Sequence, residues 1–190
     1  LKKSYSAGTE LRGKTLGIIG FGRIGKAVAR IGLGVGMRVI YNDQHAPSET
    51  VKVAFYNGKS LDFELQSSPM QEVLKASDFI TLHVPAQDNT LIGEREIELM
   101  KDGAVLINTS RGGVVDEVAL VEALEAEKLR FAALDVFTSE PSPEIQLLMQ
   151  PRLSLSPHIG ASTLEAQERI GKELAKQVIS LLKTEIEQPT

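Results

Sequence analysis

The stretch Thr15-Leu16-Gly17-Ile18-Ile19-Gly20-Phe21-Gly22-Arg23-Ile24-Gly25 decides the fold. Its first five residues are a short, apolar, β-branched run of strand character, and the residues after Gly22 carry helical periodicity to about Leu33. Glycines at 20, 22 and 25 sit at that strand-to-helix junction, each with a separate task. Gly20 permits the tight turn, Gly22 lets backbone approach a pyrophosphate, and Gly25 lets the helix pack close to the strand. The helix N-terminus adds amide donors and a positive dipole, so an anion belongs there. A second strand, Arg38-Val39-Ile40-Tyr41, ends on Asn42-Asp43 and completes a βαβ unit. Asp43 falls where the adenosine ribose of a dinucleotide would sit. Its carboxylate can accept from both ribose hydroxyls and would repel a 2′-phosphate, while Gln44, His45 and Ala46 supply no arginine to welcome one. NAD is favoured over NADP. A solvated loop carboxylate is the plainer alternative for Asp43.

Beyond this unit, strand-like runs and helical segments keep alternating. Pro69 to Ala76 reads as a short helix, Phe79 to Val84 as a strand closed by Pro85, and Ala104–Asn108, Phe131–Asp135 and Leu153–Leu155 as further strands. Helices at Glu117 to Ala126 and Thr163 to Lys183 separate or follow them. The order predicts a Rossmann-type α/β fold: one domain, a doubly wound parallel sheet with helices on both faces, whose near-continuous apolar strands are buried on both sides. Gln44 to Ser68 is the least regular segment; loops and a short strand around Leu61-Asp62-Phe63 are expected there.

Composition narrows the chemistry. The chain has 190 residues, 42% of them hydrophobic and 24% charged, as a single globular core requires. A net charge of -4 and the absence of a basic patch interleaved with aromatics argue against a nucleic-acid partner. With no cysteine and three scattered histidines, neither a disulfide framework nor a metal site is expected. No apolar run approaches the roughly 20 residues that cross a bilayer. No membrane partner and a cytoplasmic location are therefore the expectation. The sequence opens at Leu1 rather than at a methionine, and we expect further sequence upstream.

Three later segments carry chemistry, each directly after a strand and so on the edge of the sheet where ligands bind. In Asn108-Thr109-Ser110-Arg111-Gly112-Gly113, the planar fork of Arg111 can pair twice with a carboxylate; bridging to Asp116 or Glu117 on the surface is the alternative. Leu134-Asp135-Val136-Phe137-Thr138-Ser139-Glu140-Pro141 offers two carboxylates, and Ser156-Pro157-His158-Ile159-Gly160-Ala161-Ser162-Thr163 a histidine. A histidine beside a carboxylate is a natural proton-transfer pair, although a lone histidine is more often structural. His45, in a polar loop, and His83, at the end of a buried strand, read as structural.

From Glu10 to the end of the last helix, these four ordered motifs resemble the D-isomer-specific 2-hydroxyacid dehydrogenases. Ser156 to Gln167 is most similar to the phosphoglycerate branch of that family, the D-3-phosphoglycerate dehydrogenases that begin serine biosynthesis. The resemblance implies that Arg111 holds the substrate's carboxylate and carbonyl, that His158 exchanges a proton with the substrate hydroxyl, and that Glu140 partners the histidine. It carries over cofactor contacts to Arg23 and Ile24 beside the glycines, to Asp43 on ribose, and to Val84 and Pro85 beside the adenosine. On the nicotinamide side it implies Thr109, Ser110, Arg111, Asp135, and the turn from His158 through Gly160 and Ala161. The implied reaction is reversible hydride transfer between a small 2-hydroxy or 2-keto acid and nicotinamide C4.

Members of that family also carry a substrate domain, of which this sequence holds almost nothing. Residues 1–9 resemble the tail of the linker, residues 10–190 the NAD(P)-binding domain, and an isolated domain is expected to bind NAD while turning over poorly. Homodimerisation through the cofactor domain is implied by the resemblance alone. Two alternatives stay open: a dehydrogenase acting on glyoxylate, hydroxypyruvate or lactate-like acids, and an NAD-sensing corepressor that shares the fold and acts by binding a partner.

Overall fold

Parallel strands need crossovers, and helices placed on the sheet faces are the shortest way to supply them. The computed structural model, which describes residues 8–186, follows that rule. In chain order the elements are β1 (Thr15–Ile19), α1 (Arg23–Gly34), β2 (Arg38–Asn42), β3 (Ser48–Ala54), β4 (Ser60–Gln66), α2 (Met70–Ala76) and β5 (Phe79–Leu82). There follow α3 (Glu94–Leu99), β6 (Ala104–Asn108), α4 (Glu117–Glu125), β7 (Leu129–Leu134), α5 (Ile145–Met149), β8 (Leu153–Leu155) and α6 (Leu164–Ile186). Six parallel strands form one sheet in the order β2-β1-β5-β6-β7-β8. The direction of travel reverses between β1 and β5, which opens a crevice beyond their carboxyl ends.

Apolar side chains fill both sides of the sheet. Ile80, Leu82, Leu106 and Leu134 pack with Leu74 of α2, Ile97 of α3 and Leu120 and Leu124 of α4. Leu16, Ile18, Val39 and Tyr41 pack with Ala29 of α1 and Val51 of β3. Each fully buried leucine contributes about 2 kcal/mol. β1 is buried throughout, as a central strand should be. β6 and β7 instead alternate, because the face bearing Val105, Ile107 and Phe131 is only partly covered; Phe131 is 45% exposed.

The least regular segment departs most from the sequence reading. Instead of loops and one short strand, β3 and β4 form an antiparallel hairpin in which Val51 faces Phe63 and Val53 faces Leu61. Asn57-Gly58 turns it: Gly58 takes φ +80, and Asn57 Oδ1 accepts from the Lys59 N–H at 3.1 Å. The missed signal was local, an Asn-Gly pair between two runs of alternating polarity. Short helices α3 and α5 were also unread; six and five residues carry too little periodicity to announce themselves.

The chain divides into two compact units, Leu1–Pro157 and His158–Thr190. The second is a turn followed by α6, opened by the Thr163 hydroxyl accepting from the Ala166 N–H at 3.1 Å. Residues 1–7 of the expected linker lie outside the described residues. Among the described residues no helix is long and apolar enough to cross a membrane.

Candidate functional site

The glycine turn is built as its spacing predicts. Gly20 takes φ +91, and a Cβ there would stand 2.5 Å from the His83 carbonyl, so both handedness and space demand glycine. A Cβ on Gly25 would stand 2.2 Å from the Gly20 carbonyl, whereas one on Gly22 would meet open space. Gly22 is the N-cap of α1, with no side-chain cap and no acid in the first turn. By contrast, Asp116 Oδ1 caps α4 by accepting from Val118 and Ala119 N–H at 3.0 and 3.1 Å. The start of α1 thus keeps its amides and positive dipole for an anion arriving past Gly22. Through Phe21 the turn is tied once to β2 and once to the residue that follows it. The Phe21 ring is buried and stacks on Tyr41 with centroids 3.8 Å apart, and its N–H donates to Asp43 Oδ2 at 2.6 Å.

Asp43 closes a cavity of about 630 Å³ with Gly20, Gly22, His45, His83 and Val84. Burial pushes the Asp43 carboxyl up, but amide donors from Phe21 and His45 outweigh it and hold the group below the usual carboxylate range. The His45 N–H donates to Oδ1 at 2.7 Å. The Ala46 amide adds to these donors, and a carboxylate with four acceptor sites keeps capacity for a hydroxyl. Arg23 and Ile24 are exposed on the first turn of α1, Val84 is half-buried, and Pro85 is exposed beside it. Open space at Gly22, an uncapped helix start and an anchored carboxylate at the end of β2 fit a dinucleotide.

The residues expected on the substrate side hang on two loops. Asn108 is buried at the end of β6 and its side chain ties the turn that follows. Oδ1 accepts from the Ser110 N–H at 3.0 Å and hydroxyl at 2.7 Å, and Nδ2 donates to the Arg111 carbonyl at 3.0 Å. Thr109 and Arg111 are left exposed, and the guanidinium donates through Nη1 to the Ser110 carbonyl at 2.6 Å. Among the described residues Arg111 forms no ion pair with Asp116 or Glu117; Asp116 caps α4, and Glu117 Oε1 accepts from the Thr138 N–H at 2.7 Å. Gly112 then packs on the second loop so closely that a Cβ would lie 1.8 Å from the Phe137 carbonyl. The N–H of Phe137 donates to Glu140 Oε1 at 3.0 Å. Arg111 and Glu140 are therefore set by adjoining backbones. Asp135 is buried, and the Ser156 hydroxyl donates to its Oδ1 at 2.6 Å.

His158 opens the second unit in the left-handed region, φ +54, where a non-glycine side chain is uncommon. Gly160 and Ala161 follow it in the same turn, and the Ser162 N–H donates to the Ile159 carbonyl at 2.9 Å. Such a backbone is typical of residues whose side-chain direction matters more than their local comfort.

Three residues around the candidate site, Asn108, Ser156 and Ser67, carry no functional signal in the sequence. Asn108 and Ser156 stand inside their motifs, but their service to Arg111 and Asp135 is a matter of tertiary contact. Ser67 lay in the unread segment. His83, read as structural, lines the cleft as well, with Nε2 3.0 Å from Thr81 Oγ1 and Nδ1 buried without a hydrogen-bond partner. Burial lowers its pKa. The native state therefore holds neutral imidazole where the unfolded chain takes up a proton. The stabilisation is present above the unfolded value of about 6.5 and is lost as pH falls through the depressed native value. Melting temperature should consequently fall as pH drops below about 6.5, and the fall should flatten in His83→Gln. Identical profiles for the two proteins would remove His83 as the cause.

Fold and cleft together define a dinucleotide-binding domain of Rossmann type. Residues 1–160 match the family described as D-isomer specific 2-hydroxyacid dehydrogenase, NAD binding domain, and the chain belongs to that family. Its cofactor is NAD. The chain is 45% identical over 181 residues to a glyoxylate reductase of Thermococcus litoralis, covering 94% of this chain and 52% of that one. It is 44% identical over 181 residues to a D-3-phosphoglycerate dehydrogenase of Methanocaldococcus jannaschii, covering 94% and 33%. A D-lactate dehydrogenase from Aquifex aeolicus, solved with NAD and lactic acid, superposes with a TM-score of 0.73 at 34% identity, covering 98% of this chain and 60% of that one. The chain thus spans about half, or less, of the length of the curated relatives it matches.

Proposed function

We propose that this chain is the cofactor half of an NAD-dependent oxidoreductase that interconverts a D-2-hydroxy acid and its 2-keto acid. The observation that carries the reading is the close packing of the Asn108–Arg111 turn against the Phe137–Glu140 loop at the carboxyl edge of the sheet. It sets the exposed Arg111 and the carboxylate of Glu140 on adjoining loops at the same edge of the sheet as the glycine turn, which supports their joint service to one substrate. Bound NAD supplies the hydride acceptor at nicotinamide C4. Arg111 binds the substrate carboxylate and orients C2. His158 removes the hydroxyl proton in the oxidising direction and returns it in reduction, with Glu140 as its partner. Asp135 is assigned to the carboxamide, and Thr109, Ser110, Gly160 and Ala161 to the nicotinamide side.

For substrate we favour D-3-phosphoglycerate, hence an enzyme of serine biosynthesis, on the likeness of Ser156 to Gln167 to that branch and the 44% identity to a phosphoglycerate enzyme. Glyoxylate is the second reading, favoured by the 45% identity to a glyoxylate reductase. A cytoplasmic homodimer associating through this domain is part of the proposal. The deciding experiment assays the whole protein with NAD and a panel of D-2-hydroxy acids including 3-phosphoglycerate, and with NADH and glyoxylate or hydroxypyruvate. Turnover of phosphoglycerate alone supports the first reading. Turnover of none of the panel sinks the reaction class and leaves a binding role such as redox sensing.

Cofactor choice is tested on the domain itself. Asp43 places a fixed negative charge where NADP carries its 2′-phosphate, so titration calorimetry should show NAD binding at least about tenfold more tightly than NADP. Asp43→Ala should narrow that ratio. Tighter binding of NADP by the unmodified chain would overturn the ribose assignment.

A further inference from the structure

In a doubly wound half the chain normally adds a third strand outside the second. Here that strand is reduced to one parallel bridge between Tyr41 and Ser67, and the hairpin β3–β4 occupies the intervening sequence. The hairpin docks on α1 through the Lys26–Glu49 ion pair at 2.6 Å and through buried Val51. It returns the chain to the end of β2 at Ser67-Ser68. There the Ser68 N–H donates to the Tyr41 carbonyl at 2.9 Å, Asn42 Nδ2 donates to the Ser68 carbonyl at 2.8 Å, and the Ser67 N–H donates to the Pro47 carbonyl at 2.9 Å.

Between these ties, one hydroxyl serves both backbone groups of the ribose residue. Ser67 Oγ accepts from the Asp43 N–H at 3.0 Å and donates to the Asp43 carbonyl at 3.0 Å. Asp43 is half-buried and follows the last residue of β2, beyond the reach of the regular ladder. Without Ser67 its N–H and carbonyl have no strand partner, and the peptide planes on either side are released. The carboxylate in turn accepts from Phe21 and His45 N–H, so a shift of the Asp43 backbone also strains the glycine turn.

We infer that Ser67 is a positioning residue for cofactor selection: its hydroxyl fixes the Asp43 backbone, and thereby the carboxylate, before the adenosine ribose arrives. Ordering done at folding need not be repeated on binding, so affinity for the adenosine half and preference for NAD over NADP both depend on it. The inference rests on Asp43 as the ribose acceptor.

The test is calorimetry with ADP-ribose, which keeps the adenosine ribose and pyrophosphate and lacks nicotinamide, on the unmodified chain, S67A, S67T, D43A and the S67A/D43A pair. S67A should weaken ADP-ribose about five- to tenfold and narrow the NAD to NADP ratio, as expected for two lost backbone hydrogen bonds. S67T keeps the hydroxyl and should return affinity to within about twofold. In the D43A background S67A should add less than about twofold, because the two act as a unit. Full affinity in S67A alongside weak binding in D43A overturns the role of Ser67. An equal loss from S67A with and without Asp43 also overturns it, since damage to the hairpin then explains the effect. Unchanged affinity in D43A rejects the ribose assignment itself, and the inference with it.

Discussion

Replacing His158 with asparagine is expected to lower kcat by about 10²–10⁴-fold in the whole protein while NAD affinity changes by less than about threefold. Asparagine is the informative choice because His158 sits at φ +54, a conformation that asparagine tolerates better than most residues. The turn into α6 can therefore survive, and what disappears is a group able to carry a proton near neutral pH. Alanine would remove the same function but also stress the left-handed backbone. The split between kcat and NAD affinity is the diagnostic: a residue that merely shaped the turn would disturb cofactor binding as well, through the nicotinamide-side contacts proposed for Gly160 and Ala161. Stopped-flow turnover and calorimetry on one preparation read both quantities. Turnover within tenfold of the unmodified protein would exclude His158 as the acid–base group.

Gly112→Ala is expected to be the most damaging small substitution in the fold, costing about 3 kcal/mol and lowering Tm by about 6–12 °C. The added methyl would lie 1.8 Å from the Phe137 carbonyl and 3.0 Å from the Thr138 nitrogen, and both are backbone atoms that no rotamer change can move. The Asn108–Arg111 turn must lift away from the Phe137–Glu140 loop. Because Arg111 rides on one loop and the Phe137 N–H holds Glu140 on the other, turnover should fall further than stability alone predicts. The neighbouring glycine supplies a control. Gly113 takes φ +76 with no atom within 4 Å of its would-be Cβ, so Gly113→Ala should cost only left-handed strain of about 1 kcal/mol, and Gly113→Asn less. Thermal melts of the three variants check the order. An equal cost for Gly112→Ala and Gly113→Ala would mean that close packing of the two loops is not what demands glycine at 112.

Where the pattern is periodic or the spacing is tied to backbone geometry, the sequence was readable. β1, β6 and β8 fall on the residues expected, Thr15–Ile19, Ala104–Asn108 and Leu153–Leu155, because each is a short apolar run bounded by glycine or polar residues. The helices α1, α2 and α4 agree to within a residue or two at each end. α6 runs from Leu164 to Ile186, a few residues past the expected end at Lys183, where frayed helix termini rarely leave a mark in sequence. The hairpin was legible in principle through Asn57-Gly58. Pro47, Gly58 and the mixed polarity around them instead make the segment read as loops with one short strand.

The sequence alone determined the parallel sheet, the glycine turn with a cofactor cleft beyond it, and the motifs that carry Asp43, Arg111, Glu140 and His158. These follow from local rules: side-chain periodicity, the steric freedom of glycine, and chemistry that only certain residue types can perform. Tertiary structure decided which groups hold those motifs in place. Ser67 reaches Asp43 across 24 residues of sequence, Ser156 reaches Asp135 across 21, and Gly112 meets the Phe137 peptide on another loop. A hydrogen bond or a close backbone contact depends on where distant segments meet, and that meeting has no period or local composition from which a single sequence can announce it.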